Sequence, residues 1–269
     1  MYSLAALAAL TVTLIGRSIA SPLLVNPGGV NEVVATQNNT LNGTLAGGEN
    51  GVNPQPHNVT SAAGNAKLGL VFQNNFASAP INVYIQGLDP KGRIVFVLPD
   101  GSFYYPPATT SSTPVKITKS LAIALGSKGS SKSLTMPNFL SSGRIYTAAG
   151  ELSFYTVTGG LVQPSITNPK DPNIDVNYGF VEFSNNQQGI YADVSFVDFL
   201  GIPLGLSLKS ADGIQSVPGV GPSAVSDVCK ALKAQAAIDG APWDDLCVTD
   251  AKGNVVRIHP PHLVHFVKE

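Results

Sequence analysis

From Leu68 onward the chain sets short β-branched or aromatic runs between clusters of Gly, Pro, Asn and Ser, the pattern of strands separated by turns. The predicted strands are Leu68–Gln73, Ile81–Gln86, Ile94–Leu98, Ser102–Tyr105, Ser120–Leu125, Leu134–Met136, Arg144–Thr147 and Leu152–Val157. They recur at spacings of about ten residues with no helix between them, which predicts a mainly β fold built as an antiparallel sandwich or barrel. Gly126–Ser133 is rich in Gly and Ser and carries two lysines, but it lacks the Walker pattern and reads as a solvated loop. A helical pattern comes late, at Ser223–Ile238. Ser223 is placed to cap it, Val225, Val228, Leu232 and Ala236 fall roughly on one face, and Asp239-Gly240 ends it. Two short strands follow, Asp245–Thr249 and Asn254–Ile258.

The first 66 residues have a different texture. Leu4 to Ile15 is an apolar stretch of secretory length, and Ser18-Ile19-Ala20 fits a signal-peptidase site, which predicts a signal peptide over residues 1–20. No Lys or Arg precedes Arg17, so a buried core helix is the alternative. Residues 21–66 contain no aromatic side chain and are dominated by Asn, Gly, Thr, Pro and Ala, too little apolar surface to offset the entropy of folding. This segment is expected to be a linker or propeptide. It holds three Asn-x-Thr sequons, which make Asn38, Asn42 and Asn58 candidate glycan acceptors in a secreted chain. The remainder divides into a β-rich domain over 67–218 and a smaller α/β part over 219–269.

Charge narrows the range of partners. Of 269 residues only 12% are charged, against roughly 25% in ordinary soluble domains, and 16 Lys and Arg face 17 Asp and Glu. No positive excess exists to neutralise phosphates or to hold the chain on an acidic membrane, so neither nucleic acid nor membrane is an expected partner. The two cysteines, Cys229 and Cys247, fall in the predicted helix and the strand after it. In an oxidising compartment they are expected to form one disulfide, with two separate buried thiols as the alternative. His259, His262 and His265 share no helical face and have no acidic or Cys neighbour, so they are read as a solvated tail and not as a metal site.

The densest chemistry lies between Gly159 and Leu208. Strand alternation puts Glu182, Ser184 and Asn186 on one face with Val181 and Phe183 on the other, and Tyr191, Asp193 and Ser195 form a second polar row. Carboxylates, small hydroxyls, an amide and a ring on one sheet face suit a sugar, which needs polar contacts and a flat apolar platform. A solvated strand face would show the same alternation.

The runs Gly160-Leu161-Val162-Gln163-Pro164-Ser165, Asn168-Pro169 with Asp171-Pro172-Asn173-Ile174, Glu182-Phe183, Val197-Asp198-Phe199 and Ile202-Pro203-Leu204-Gly205-Leu206 resemble glycoside hydrolase family 64, the endo-acting β-1,3-glucanases. The likeness spans about residues 67 to 258. It implies a thaumatin-like β domain joined to a smaller α/β part, with a cleft that accepts β-1,3-glucan, and a cofactor-free, metal-free inverting mechanism run by two carboxylates. Carried onto this sequence, the general acid is Glu182 and the general base Asp198, with glucan contacts at Ser184, Asn186, Tyr191 and Ser195. The implied product is a secreted or cell-wall-associated glucanase acting as a monomer. The family's module continues well beyond the equivalent of Ile258 whereas this sequence ends at Glu269, so the resemblance also implies a module cut short. The alternative is a glucan-binding wall protein without turnover. A thaumatin-like defence protein would carry more than two cysteines.

Strand geometry and resemblance part at one point. If Asn185 to Gly189 closes a simple hairpin, Asp193 lies nearly opposite Glu182, and Asp198 lies about five residues further on, roughly 16 Å at about 3.3 Å per residue. An inverting pair works at roughly 6.5 to 9.5 Å. Asp198 therefore requires a bulge, a shifted register or a non-hairpin path, and Asp193 is the substitute base.

Overall fold

The computed structural model describes the backbone of residues 40–42 and residues 66–76, 80–210 and 213–261. In chain order the strands are β1 (Thr40–Asn42), β2 (Leu68–Gln73), β3 (Ile81–Leu88), β4 (Ile94–Val97), β5 (Phe103–Tyr104), β6 (Val115–Lys116), β7 (Ile123–Gly126), β8 (Ser131–Met136) and β9 (Leu140–Ala148). They continue with β10 (Tyr155–Val157), β11 (Gly160–Val162), β12 (Tyr178–Asn186), β13 (Gly189–Val194), β14 (Leu206–Ser210), β15 (Gly213–Val217), β16 (Cys247–Thr249) and β17 (Val255–Ile258). Helix α1 (Ala224–Asp239) and a 3-10 turn over Trp243–Leu246 separate β15 from β16. The strand pairs among the described residues are all antiparallel, and the fold is mainly β, as the turn-punctuated pattern predicts.

One central sheet carries the architecture, in the order β13-β12-β9-β3-β4-β5 with β7 also on β3. At its centre the sheet is buried on both faces, which is why β4 reads as an unbroken apolar run and β3 as a mostly apolar one, not as alternation. Odd and even positions then serve different cores. Ile81, Val83 and Ile85 of β3 with Val95 and Val97 of β4 join an aliphatic cluster that takes in Leu134 and Met136 of β8. Tyr84, Ile94, Phe96, Tyr146, Tyr178 and Phe180 point the other way into an aromatic cluster with Phe154, Leu161 and Phe199. The rings meet at centroid distances of 5.0 to 6.3 Å, mostly tilted or edge-on, the arrangement their quadrupoles favour.

The C-terminal part is a small unit of its own. Helix α1, the 3-10 turn and the β16–β17 hairpin pack through Cys229, Leu246 and Ile258, and Cys229 and Cys247 form a disulfide, as their placement on helix and strand led us to expect. Gly240 takes the left-handed conformation, φ 68°, that ends the helix.

Several expectations are corrected. Thr40–Asn42 is a strand paired with β11 inside the segment read as linker, because a three-residue partner needs backbone bonds and not aromatic burial. Asn42 lies in that strand. The signal peptide, Asn38, Asn58, His262 and His265 lie outside the described residues. On α1 the buried position is Cys229, while Val228 is 38% exposed, so the inward stripe is Val225, Cys229, Leu232 and Ala236. Ser223 stands at the N-cap without a side-chain capping bond. Ser131–Ser133, read as loop, opens β8, whose pairing with β2 supplies the order that sequence polarity concealed. His259 is half-buried, not in a solvated tail, and its N–H donates to the Leu246 carbonyl at 2.8 Å.

Two predictions follow from this unit. Replacing both cysteines with alanine releases a loop of 18 residues, and the expected loss is about 3 kcal/mol, measured by denaturant unfolding with and without reductant. Burial, reinforced by Arg257, holds the His259 imidazole below its ordinary value. The unfolded chain thus binds the proton first, so stability is full above about pH 6.5 and falls as pH drops toward the folded-state value. Thermal melts of His259→Gln should show a shallower decline over that range than the parent.

Candidate active site

The site sits where the polar row of β12 leaves the aromatic core. On the face carrying Tyr178 and Phe180, the next position of the same parity is Glu182. Strand register sets its neighbours: Glu182 is opposite Arg144 of β9 on one side and Asp193 of β13 on the other, and Arg144 is opposite Gln86 of β3. The row below it is Phe180, Tyr146 and Tyr84. A polar row thus lies one step outside an aromatic one on a single sheet face.

Arg144 joins the charges. Its Nε donates to Glu182 Oε1 at 2.9 Å, and its Nη2 pairs with the same oxygen at 2.9 Å and lies 3.9 Å from Asp198 Oδ2. The guanidinium carbon stands 4.5 Å from the centroid of the Phe180 ring, a cation–π contact. Burial works against the Arg144 charge, but Tyr146 and Glu182 more than offset it and hold the guanidinium above its ordinary value. The same burial pushes the Tyr146 hydroxyl up to about 12.

Asp198 reaches this row because β13 stops at Val194. The simple hairpin exists, with Glu182 opposite Asp193 as alternation requires, but the chain does not continue straight and bends at Val197–Asp198. Phe199 then turns into the aromatic cluster, 5.0 Å from the Tyr178 ring and 5.9 Å from that of Phe180. Leu200 exchanges backbone hydrogen bonds with Ile258 at 3.0 and 2.8 Å, and the Ile202 N–H donates to the Tyr178 carbonyl at 3.3 Å. The segment therefore folds back across the start of β12 and sets Asp198 beside the arginine stacked on Phe180. Glu182 Oε1 and Asp198 Oδ2 can be no farther apart than their two distances to Nη2, 2.9 and 3.9 Å, laid end to end. The roughly 16 Å from straight-strand extrapolation fails for this reason.

The other expected positions divide. Tyr191 is 63% exposed on β13 opposite Ser184, and Asp193 is exposed beside Glu182. The Ser184 hydroxyl accepts the Ser142 N–H at 3.2 Å, where β9 bulges and Ser142 has φ 47°. Asn186 Oδ1 accepts the Gln188 and Gly189 N–H groups at 2.9 and 3.2 Å and so shapes the hairpin turn. Ser195 Oγ accepts the Val197 N–H at 3.4 Å inside the bend. Asp171 and Asn173 are buried hubs: Asp171 accepts from Ser165, and Asn173 exchanges hydrogen bonds with Ser153.

The model of the beta-1,3-glucanase family, glycoside hydrolase family 64, matches residues 66–269. The chain belongs to that family. A glucan endo-1,3-beta-glucosidase of Cellulosimicrobium cellulans is 30% identical over 125 residues, 45% of this chain and 22% of that protein. Among solved structures, a laminaripentaose-producing beta-1,3-glucanase in complex with laminaritetraose superposes with a TM-score of 0.66 at 28% identity, over 74% of this chain and 54% of that one. A family 64 beta-1,3-glucanase domain from Clostridium beijerinckii shares the fold at a TM-score of 0.53 and 19% identity, over 75% of this chain and 56% of that one. The chain thus spans about half the length of these solved family 64 proteins and less than a quarter of the curated relative.

Sequence reasoning missed Arg144 as a member of this family 64 site. It opens the predicted strand Arg144–Thr147, and its parity with Tyr146 was legible, but its partner depended on the unpredicted register of β9 against β12.

The bend that delivers Asp198 rests on Gly201, where an added Cβ would collide with the Tyr178 carbonyl oxygen and come within 2.8 Å of the Phe199 ring. Gly201→Ala should cost about 1 to 3 kcal/mol in chemical unfolding, more than the same change at open Gly221.

Proposed function

We propose that the protein is a secreted endo-β-1,3-glucanase that cleaves internal bonds of cell-wall glucan with inversion, Glu182 acting as general acid and Asp198 as general base. The observation that carries this reading is the convergence of the two carboxylates on Arg144 in a chain of the beta-1,3-glucanase family. The ceiling on their separation admits the lower edge of the roughly 6.5 to 9.5 Å of an inverting pair and also the roughly 5 to 5.5 Å of a retaining one, so inversion rests on the family resemblance and is decided by the anomer formed first. Both contacts from Arg144 fall on Glu182 Oε1, so Oε2 is the oxygen suited to carry the proton to the departing glycosidic oxygen. Asp198, half-exposed, takes the proton of the water that attacks the opposite face of the sugar. Exposed Tyr191, with Ser184, Asn186, Asp193 and Ser195 around the same hairpin, offers a ring and polar groups to the flanking glucose units. A monomeric, thaumatin-like β domain completes the reading.

The test is an assay of reducing ends on linear β-1,3-glucan, with product anomers followed by proton NMR. The α-anomer should appear first. Glu182→Gln and Asp198→Asn should each lose about 10²- to 10⁴-fold in turnover while retaining glucan in a pull-down. A first-formed β-anomer would replace inversion by retention, loss in Asp193→Asn but not Asp198→Asn would move the base, and glucan binding without turnover by folded parent protein would make it a wall-binding protein.

A further inference from the structure

We infer that Arg144 is the positioning residue of the carboxylate pair, holding Glu182 and Asp198 at their working separation; this rests on the reading of those two residues as acid and base. An arginine that merely neutralised a strand-face glutamate would need one partner. Here the same Nη2 faces oxygens from two elements that strand geometry alone does not join, β12 and the bend after β13. The exposures run in the order such a role requires: the Arg144 side chain is 23% exposed, that of Glu182 40% and that of Asp198 50%, so the cation lies beneath the carboxylates and leaves them to the solvent side.

The guanidinium rests against the Phe180 ring, buried Tyr146 is two positions on along the same face of β9, and fully buried Gln86 is the register partner of Arg144 on β3. A planar fork fixed on a ring presents its N–H groups in set directions, which a flexible ammonium does not. With the acid's proton on Glu182 Oε2, Oε1 still faces the guanidinium, and the ionised Asp198 faces the same Nη2, so one planar group orients both side chains. Arg144 also links the two halves of the site in space, since Phe180 beneath it touches Phe199, the residue after Asp198. Displacement of the arginine would release both carboxylates while leaving the glucan-facing positions of β13 in place.

The test compares Arg144→Met and Arg144→Lys with the parent, Glu182→Gln and Asp198→Asn on linear β-1,3-glucan, with kcat, KM, glucan pull-down and melting temperature read for each. Arg144→Lys keeps a cation over Phe180 but loses the fork. It should fold, keep KM and glucan retention near parent values, and lose roughly 10²-fold in kcat, the scale set by misplacement of a catalytic group by about 1 Å; Arg144→Met should lose more. Parent-like kcat in folded Arg144→Lys overturns the inference. So does failure of Arg144→Lys to fold, or a fall in kcat matched by loss of glucan retention, since either makes the arginine a structural residue. If Glu182→Gln and Asp198→Asn are inactive while Arg144→Lys is not impaired, only the positioning role falls. If those two variants keep full turnover, or the parent has none, the reading of the pair falls and this inference with it.

Discussion

Strand β12 is fixed between β9 and β13, with Glu182 opposite Arg144 on one side and Asp193 on the other, and the remainder of the site depends on that register. Side chains alternate with a period of two, so a slip of one residue would send Glu182 to the aliphatic face where Phe183 packs. The slip is prevented by burial. Tyr178 and Phe180 must reach the aromatic cluster while Phe183 reaches the aliphatic one, and a one-residue slip satisfies neither. The polar row is therefore placed by the apolar residues before it.

The residues differ in how far their sequence announces them. The strands most exactly readable, Leu68–Gln73 and those beginning at Ile81 and Ile94, carry β-branched or aromatic runs bounded by turn residues. The hairpin placing Asp193 opposite Glu182 was equally legible, because both strands and the Asn-rich turn are local. The site itself was less so. Asp198 depends on Phe199 finding Tyr178 and Phe180, and Leu200 finding Ile258, contacts that span up to 58 positions in the chain and leave no periodic trace. Hairpin β14–β15 and strand β6 were missed for the opposite reason, since their mostly exposed residues form no apolar pattern.

The C-terminal unit enters the site through the backbone. Cys247 is the register partner of Ile258, and Ile258 bridges Leu200, two residues beyond Asp198. The disulfide that pins α1 to β16 therefore also steadies the strand against which the Asp198 segment is laid. Asp193 lies opposite Glu182 by strand register, and Asp198 reaches the same row through the contact of Leu200 with Ile258 of the C-terminal unit.

Two arginines stack on the aromatic cluster from different elements, and their surroundings separate structure from chemistry. Arg257 of β17 is fully buried, lies 5.0 and 5.6 Å from the Tyr178 and Phe199 ring centroids, and donates its Nη2 to the Ile174 and Val176 carbonyls at 2.7 Å. Its partners are backbone oxygens with nothing to transfer, and burial lowers its pKa; it joins β17 to the loop before β12. Arg144 stacks on Phe180 of the same cluster, but its partners include two carboxylates at the surface, and Tyr146 and Glu182 keep its pKa above the ordinary value. The same residue type on the same ring system thus serves as a clamp where it meets carbonyls, and under the proposed function as a scaffold for acid–base chemistry where it meets carboxylates that solvent can reach.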